Sequence, residues 1–111
     1  MLEYEIARRT PRFRFAVDVT VIDIEHKIDI KARTSTLGLF GCGIATSKPF
    51  IQGTGVRVRM SYRGAGVKAI GIVAYVRPNL DMGIAFTDID RESERILALW
   101  IEELTRYPAG K

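Results

Sequence analysis

The sequence predicts an all-β domain with one helix: a six-stranded antiparallel β-barrel followed by a C-terminal α-helix. Short segments alternate apolar and polar residues, as half-buried strands do. Turns rich in glycine or proline separate these segments at short intervals, which is typical of a small barrel or sandwich. The last segment instead repeats its apolar residues at helical spacing, which predicts the helix.

Length and composition restrict the organisation and the partner. A chain of 111 residues has room for one domain, which we divide into a basic arm at 1–12 and a barrel with its helix at 13–107. The net charge of +4 favours an anionic partner. The strongly apolar run 69–76 is much shorter than the roughly 20 residues that cross a bilayer. A single cysteine excludes an internal disulfide and indicates the cytoplasm.

The first two strands are predicted by alternation. The inward face of the first comprises Phe13, Phe15, Val17, Val19 and Val21. Glu25, His26 and Lys27 form a polar turn, and the second strand points Ile28, Ile30 and Ala32 inward. The two segments therefore predict a hairpin.

Four further strands follow. The glycines at 38, 41 and 43 indicate a tight turn or bulge before a short strand at 43–46, and a loop with turn residues continues to Gly55. The remaining strands are expected at 56–62, 67–76 and 82–87.

The helix begins after Asp90, a residue able to cap it. Its apolar face consists of Leu97, Trp100, Ile101 and Leu104, which predicts packing on the barrel. No catalytic constellation accompanies this fold. Cys42 has no histidine placed to activate it, and His26 has no second kind of metal ligand near it. We therefore expect neither an enzyme nor a bound metal or cofactor.

The arm holds the best candidates for binding. Arg8, Arg9 and Arg12 precede the first strand, and Pro11 favours an extended conformation of the residue before it. In that conformation Arg8 and Arg12 share a face and lie roughly 13 Å apart. The arginine fork suits phosphates and the edge of guanine, so the pair could grip a ligand of dinucleotide size. A solvated arm without a ligand is the alternative.

The order of these segments resembles the PilZ domain family over about residues 8–105. Arg8 to Arg12 matches the RxxxR motif of that family, with Arg9 as an additional arginine. The second family motif, Asp or Asn followed by x-Ser-x-x-Gly, falls at 36–41, where Thr36 replaces the acid or amide, Gly38 replaces serine and Gly41 is kept. The segments 71–73 and 82–86 resemble the late strands of the family.

The resemblance implies a function and a set of site residues. The family binds cyclic di-GMP, and by similarity Arg8, Arg9 and Arg12 would hold phosphates and guanine edges while Thr36, Gly38 and Gly41 occupy the second motif. Each lost polar contact costs roughly 1–3 kcal/mol. Alternation places Ser35 on the face opposite Thr36, so its hydroxyl is not expected to compensate.

Two functions follow from the resemblance. One is a cyclic di-GMP receptor whose arm orders on binding and changes the surface offered to a downstream protein or fused domain. The other is a degenerate PilZ domain that no longer binds the nucleotide and acts as a protein–protein interaction module. An RNA-binding barrel is disfavoured, because Phe13 and Phe15 alternate inward instead of forming an exposed stacking platform.

Overall fold

The computed structural model describes residues 11–106 as seven strands and one helix. The elements are β1 (Phe13–Arg14), β2 (Asp18–Asp23), β3 (Asp29–Leu37), β4 (Gly41–Ala45), β5 (Gly55–Tyr62), β6 (Ala65–Arg77), β7 (Asp81–Ile89) and α1 (Arg91–Arg106).

Six of the strands close into a ring. The hydrogen-bonded order is β3–β2–β5–β6–β7–β4, and a β4–β3 pairing closes it. Every pairing is antiparallel. The two residues of β1 pair with the end of β3 outside this ring. The predicted six-stranded barrel is therefore confirmed.

The first predicted strand is interrupted. The hydroxyl of Thr34 on β3 accepts a hydrogen bond from the Val17 amide at 2.9 Å and donates one to the Phe15 carbonyl at 2.6 Å. The Thr34 side chain thus takes the place of part of the backbone hydrogen bonding to β3. Regular strand pairing therefore stops after Arg14 and resumes at Asp18. The interruption coincides with a bulge in β3 between Thr34 and Thr36.

Alternation positions the core as predicted in most strands. Val19, Val21 and Val58 are at most 3% exposed, whereas Arg57 and Arg59, which flank Val58 on β5, face solvent. Ile28, predicted to point inward, is 57% exposed. It directly follows the hairpin residue Lys27, whose φ is +60°, and it precedes the start of β3.

The helix packs on the barrel, as its apolar face predicts. Leu97, Trp100 and Ile101 join the main core, and the Trp100 ring meets the Tyr62 ring edge to face at 5.8 Å. Hydrogen bonds from Ser93 hold the pKa of the capping Asp90 below its usual value. No helix within residues 11–106 is long and apolar enough to cross a bilayer.

Candidate functional site

The arm is described in part. Arg8 and Arg9 lie outside the described residues 11–106, so their predicted roles stay predictions. Arg12 is half-buried and approaches the end of β3. Its positive charge also acts on the thiol of Cys42, whose pKa burial raises to about 12 and Arg12 partly lowers. Pro11 and Arg12 therefore meet the barrel where β3 and β4 are joined.

Gly38 permits this close approach. A Cβ atom at position 38 would lie 2.8 Å from the Pro11 carbonyl oxygen and 3.1 Å from Cγ of Arg12. The φ of Gly38 is not in the left-handed region, so it is the contact with the arm that requires glycine here. The Gly38 amide donates to the Gly41 carbonyl at 2.9 Å and closes the turn between β3 and β4.

The hydroxyls of Ser35 and Thr36 lie on the same side of the sheet. A Cβ atom built on Gly43 of β4 would be 2.8 Å from Oγ1 of Thr36 and 2.9 Å from Oγ of Ser35. The prediction that Ser35 faces away from Thr36 is wrong, because the bulge between Thr34 and Thr36 breaks the alternation on which it rested. Two hydroxyls therefore lie side by side next to Gly43.

A floor without bulky side chains extends from these hydroxyls across β4 and β7. Gly43 pairs with Gly83 and Gly41 pairs with Ala85, and the residues that alternate with them, among them Cys42 and Ile84, point into the core. We call this outward strip of Gly41, Gly43, Gly83 and Ala85 the glycine furrow. All four residues are buried, because the Tyr75 ring lies over Gly83 and the hydroxyls of Ser35 and Thr36 lie beside Gly43.

An aromatic ring forms the far wall of the glycine furrow. Tyr75 of β6 pairs with Gly83, and a Cβ atom at position 83 would overlap the Tyr75 ring. The ring is half-buried and packs with Ile72 on a small apolar cluster separate from the main core. Three strand spacings separate it from Thr36, or about 14 Å.

Positive charge lies at the opposite wall of the glycine furrow, beside Thr36. Arg14 is the cross-strand partner of Thr36 and therefore points to the same side as its hydroxyl. Arg14 is exposed, and within residues 11–106 no carboxylate lies within 4 Å of the guanidinium of Arg12 or Arg14.

These residues are suited to binding. Cys42 points inward and its raised pKa keeps the thiol protonated, so it supplies no nucleophile. The described part of the chain holds no group of three His, Cys, Asp or Glu side chains that could bind a metal. The site therefore offers guanidinium groups, hydroxyl groups and an aromatic ring.

Sequence reasoning missed two parts of this site. Tyr75 lies in a segment that is apolar on both faces, which hides an outward aromatic residue. Gly83 and Ala85 alternate with core residues of β7 and could have been recognised as an outward pair of small residues. Their proximity to Thr36 depends on the β4–β7 pairing, which periodicity does not reveal.

Comparison with known proteins gives one family. A family sequence model described as PilZ domain matches residues 7–103. A search of curated proteins gives no match.

Three solved structures share the fold. The PilZ domain of YcgR from Escherichia coli, solved with c-di-GMP, is 16% identical with a TM-score of 0.72, covering 89% of this chain and 92% of that one. The PilZ domain of CeSA from a cellulose-synthesizing bacterium is 17% identical with a TM-score of 0.68, covering 86% and 99%. The Bacillus subtilis inhibitor of motility MotI/DgrA is 13% identical with a TM-score of 0.74, covering 91% of this chain but 53% of that one. This chain thus spans about half the length of MotI.

Proposed function

We propose that this chain, which belongs to the PilZ domain family, is a cytoplasmic receptor for cyclic di-GMP that acts as an effector in bacterial second-messenger signalling. The observation that carries the proposal is the glycine furrow, with two hydroxyls and arginines at one wall and the Tyr75 ring at the other. A guanine base is flat, has a hydrogen-bonding edge and stacks on aromatic rings, so each wall offers it a different contact.

The arm would supply the charge-assisted contacts. Arg8, Arg9 and Arg12 precede β1, and Arg12 already lies against Gly38 at the end of the glycine furrow. Guanidinium groups form bidentate hydrogen bonds with phosphate oxygens and with the O6 and N7 atoms of guanine. Hydrogen bonds to charged groups contribute about 1.5–3 kcal/mol each, more than neutral ones. The arginines therefore dominate the expected affinity.

The hydroxyls of Ser35 and Thr36 would read the base edge. Both are close to Gly43, which lies in the furrow floor, so a base on this floor would be within their reach. A hydroxyl can donate and accept a hydrogen bond, but a neutral contact contributes only about 0.5–1.5 kcal/mol. We therefore expect a weaker guanine contact than an aspartate at position 36 would give.

Closure of the arm would transmit the signal. Ligand contacts would offset the loss of arm entropy and fix residues 8–12 over the barrel. The surface presented to a downstream protein or fused domain would change as a result.

The alternative is a degenerate PilZ domain that acts through protein contacts alone. One observation favours it: the Pro11 carbonyl oxygen lies 2.8 Å from where a Cβ atom at position 38 would be. The arm backbone thus occupies the place of the serine side chain of the second family motif. In this alternative the arm rests on the barrel permanently and no nucleotide intervenes.

Isothermal titration with cyclic di-GMP tests the proposal. We expect binding by the unmodified chain and a loss of roughly 10- to 100-fold in Tyr75→Ala, since stacking contributes about 1–3 kcal/mol per base. Tyr75→Phe keeps the ring and should bind almost normally. Arg12→Ala should also weaken binding, whereas Arg106→Ala, which removes a cation from the end of the helix, should not.

The other outcomes distinguish the two functions. No heat at millimolar nucleotide would support the interaction module. Binding that persists unchanged in Arg12→Ala and Tyr75→Ala would show that the ligand does not occupy the glycine furrow.

A further inference from the structure

A row of cations crosses the barrel on the outer face of four neighbouring strands. Lys31 on β3 and Arg59 on β5 are the two cross-strand partners of Thr20 on β2, and Lys68 on β6 is the partner of Arg59. The three cations are exposed, and the row spans about 14 Å at the usual strand spacing. We call Lys31, Arg59 and Lys68 the basic row.

Apolar side chains lie next to the basic row. Ile22 on β2 and Ile70 on β6 are both partners of Arg57 on β5, and both point outward and are half-buried. A shallow hollow of about 220 Å³ opens beside them, lined by Arg57, Lys68 and Ile70 among others. Apolar residues ringed by charged groups are typical of the centre and rim of a protein interface.

The basic row is only partly neutralised within the fold: Lys68 lies near Asp90 and helps to lower the pKa of that carboxyl, and in the described part of the chain it forms no ion pair within 4 Å. Among residues 11–106 no carboxylate lies within 4 Å of the three cations, whereas Arg33 on the same face lies 3.9 Å from Asp18. Arg59 and Lys68 stand directly opposite each other, and like charges in that position destabilise a sheet. A negatively charged partner would therefore relieve this repulsion.

Carboxylates flank the basic row and restrict the partner. Asp29 is the partner of Ile22, Asp88 is the partner of Ile70, and Asp18 lies on the opposite side of the row. A nucleic acid or an anionic membrane presents a uniform negative field, which these acids would repel. An acidic protein segment can instead place its carboxylates on the cations and its apolar side chains on the isoleucines.

We propose that the outer face of β3, β2, β5 and β6 is a docking surface for an acidic, amphipathic segment of a partner protein. Its apolar anchors contact Ile22 and Ile70, and its carboxylates pair with the basic row. The middle of this surface, on β2 and β5, lies opposite the glycine furrow, because β2 is three positions from β7 in the ring and β5 is three positions from β4. Docking is therefore independent of the nucleotide.

The test uses two synthetic peptides and the whole chain without nucleotide. One fluorescent peptide carries glutamate and leucine at helical spacing, and its counterpart replaces each glutamate by lysine. We expect the acidic peptide alone to raise the anisotropy on titration with the chain. Its binding should weaken with added salt, and amide shifts should change at Thr20, Arg59 and Ile70.

Matched variants locate the surface. The triple variant Lys31→Ala, Arg59→Ala, Lys68→Ala should lose roughly 10-fold or more in affinity for the acidic peptide, with three exposed ion pairs removed. The control Lys48→Ala, Arg91→Ala, Arg95→Ala removes the same charge elsewhere and should change affinity less than about 2-fold. Circular dichroism checks that both variants fold.

Three results would overturn the proposal: no binding of the acidic peptide, equal losses in the two triple variants, or tighter binding of a 20-base-pair DNA duplex or of phosphatidylserine vesicles through the basic row. Loss of peptide binding in Tyr75→Ala would also contradict it, because that residue lies away from this face. These outcomes do not depend on whether the chain binds cyclic di-GMP.

Discussion

Replacing Thr36 by aspartate should strengthen cyclic di-GMP binding by about 5- to 30-fold. Position 36 is half-buried at the bulge and borders the glycine furrow. A carboxylate there would make a charge-assisted hydrogen bond to a guanine edge, which contributes about 1.5–3 kcal/mol. Its cross-strand neighbour Arg14 competes for the same carboxylate, which removes about 0.2–1 kcal/mol and leaves a net gain of about 1–2 kcal/mol.

Restoring the serine of the second motif should weaken cyclic di-GMP binding instead of strengthening it. In Gly38→Ser the new Cβ would lie 2.8 Å from the Pro11 carbonyl oxygen, so the arm must shift. Overpacking of this kind costs about 1–3 kcal/mol. We expect Gly38→Ser to weaken binding by about 5- to 100-fold. A double variant that also carries Thr36→Asp should have an affinity close to that of the unmodified chain.

Isothermal titration at one fixed ionic strength measures all three variants. Thr36→Val, which keeps the shape and removes the hydroxyl, is the control and should weaken binding by about 3- to 10-fold. Stronger binding in Gly38→Ser alone would refute the steric argument. An unchanged affinity in Thr36→Asp would refute the assignment of position 36 to the guanine site.

Three further predictions concern titration, reactivity and stability. The hydrogen bond to Asp23, at 2.9 Å from Nδ1, raises the pKa of His26 above 6.5, and the same bond lowers that of Asp23 below 3.8. The pair should therefore stabilise the hairpin most between about pH 4 and 6.5. The His26 contribution is lost as the pH rises, and the Asp23 contribution is lost as the pH falls. NMR titration should show a lower His26 pKa in Asp23→Asn. Cys42, fully buried with a pKa raised to about 12, should react with a thiol reagent at pH 8 only after unfolding, and rapid reaction of the native chain would contradict its placement. Leu97→Ala should lower the free energy of unfolding by about 2–5 kcal/mol in urea, whereas Leu99→Ala, half exposed on the same helix, should change it by less than about 0.5 kcal/mol.

The fold was predictable because most strands obey a simple period. Val56, Val58 and Met60 face the core and the arginines between them face solvent, as alternation requires. The same rule failed at Thr34, where a side-chain hydroxyl takes over backbone hydrogen bonds and a bulge shifts the register. Whether a side chain takes the place of backbone hydrogen bonds depends on the neighbouring strand, and a local sequence pattern carries no information about that strand.

The site was predictable only near the motifs. The approach of Arg12 to the end of β3 follows from residues that are close in sequence or joined by one hairpin. Tyr75 and Gly83 reach the same surface through pairings between distant strands. Predicting that Tyr75 and Gly83 belong to the site therefore required the order of the strands in the barrel, which the sequence pattern does not determine.

Ring closure between β4 and β7 also has a kinetic consequence. Gly41 and Gly43 meet Ala85 and Gly83 only after a long stretch of chain has been made and folded back. Non-local pairings of this kind slow folding, typically to milliseconds or seconds for barrels. During synthesis, a ribosome-bound chain that has not yet released β7 lacks Gly83 and Ala85, so the glycine furrow forms only after most of the barrel has been made.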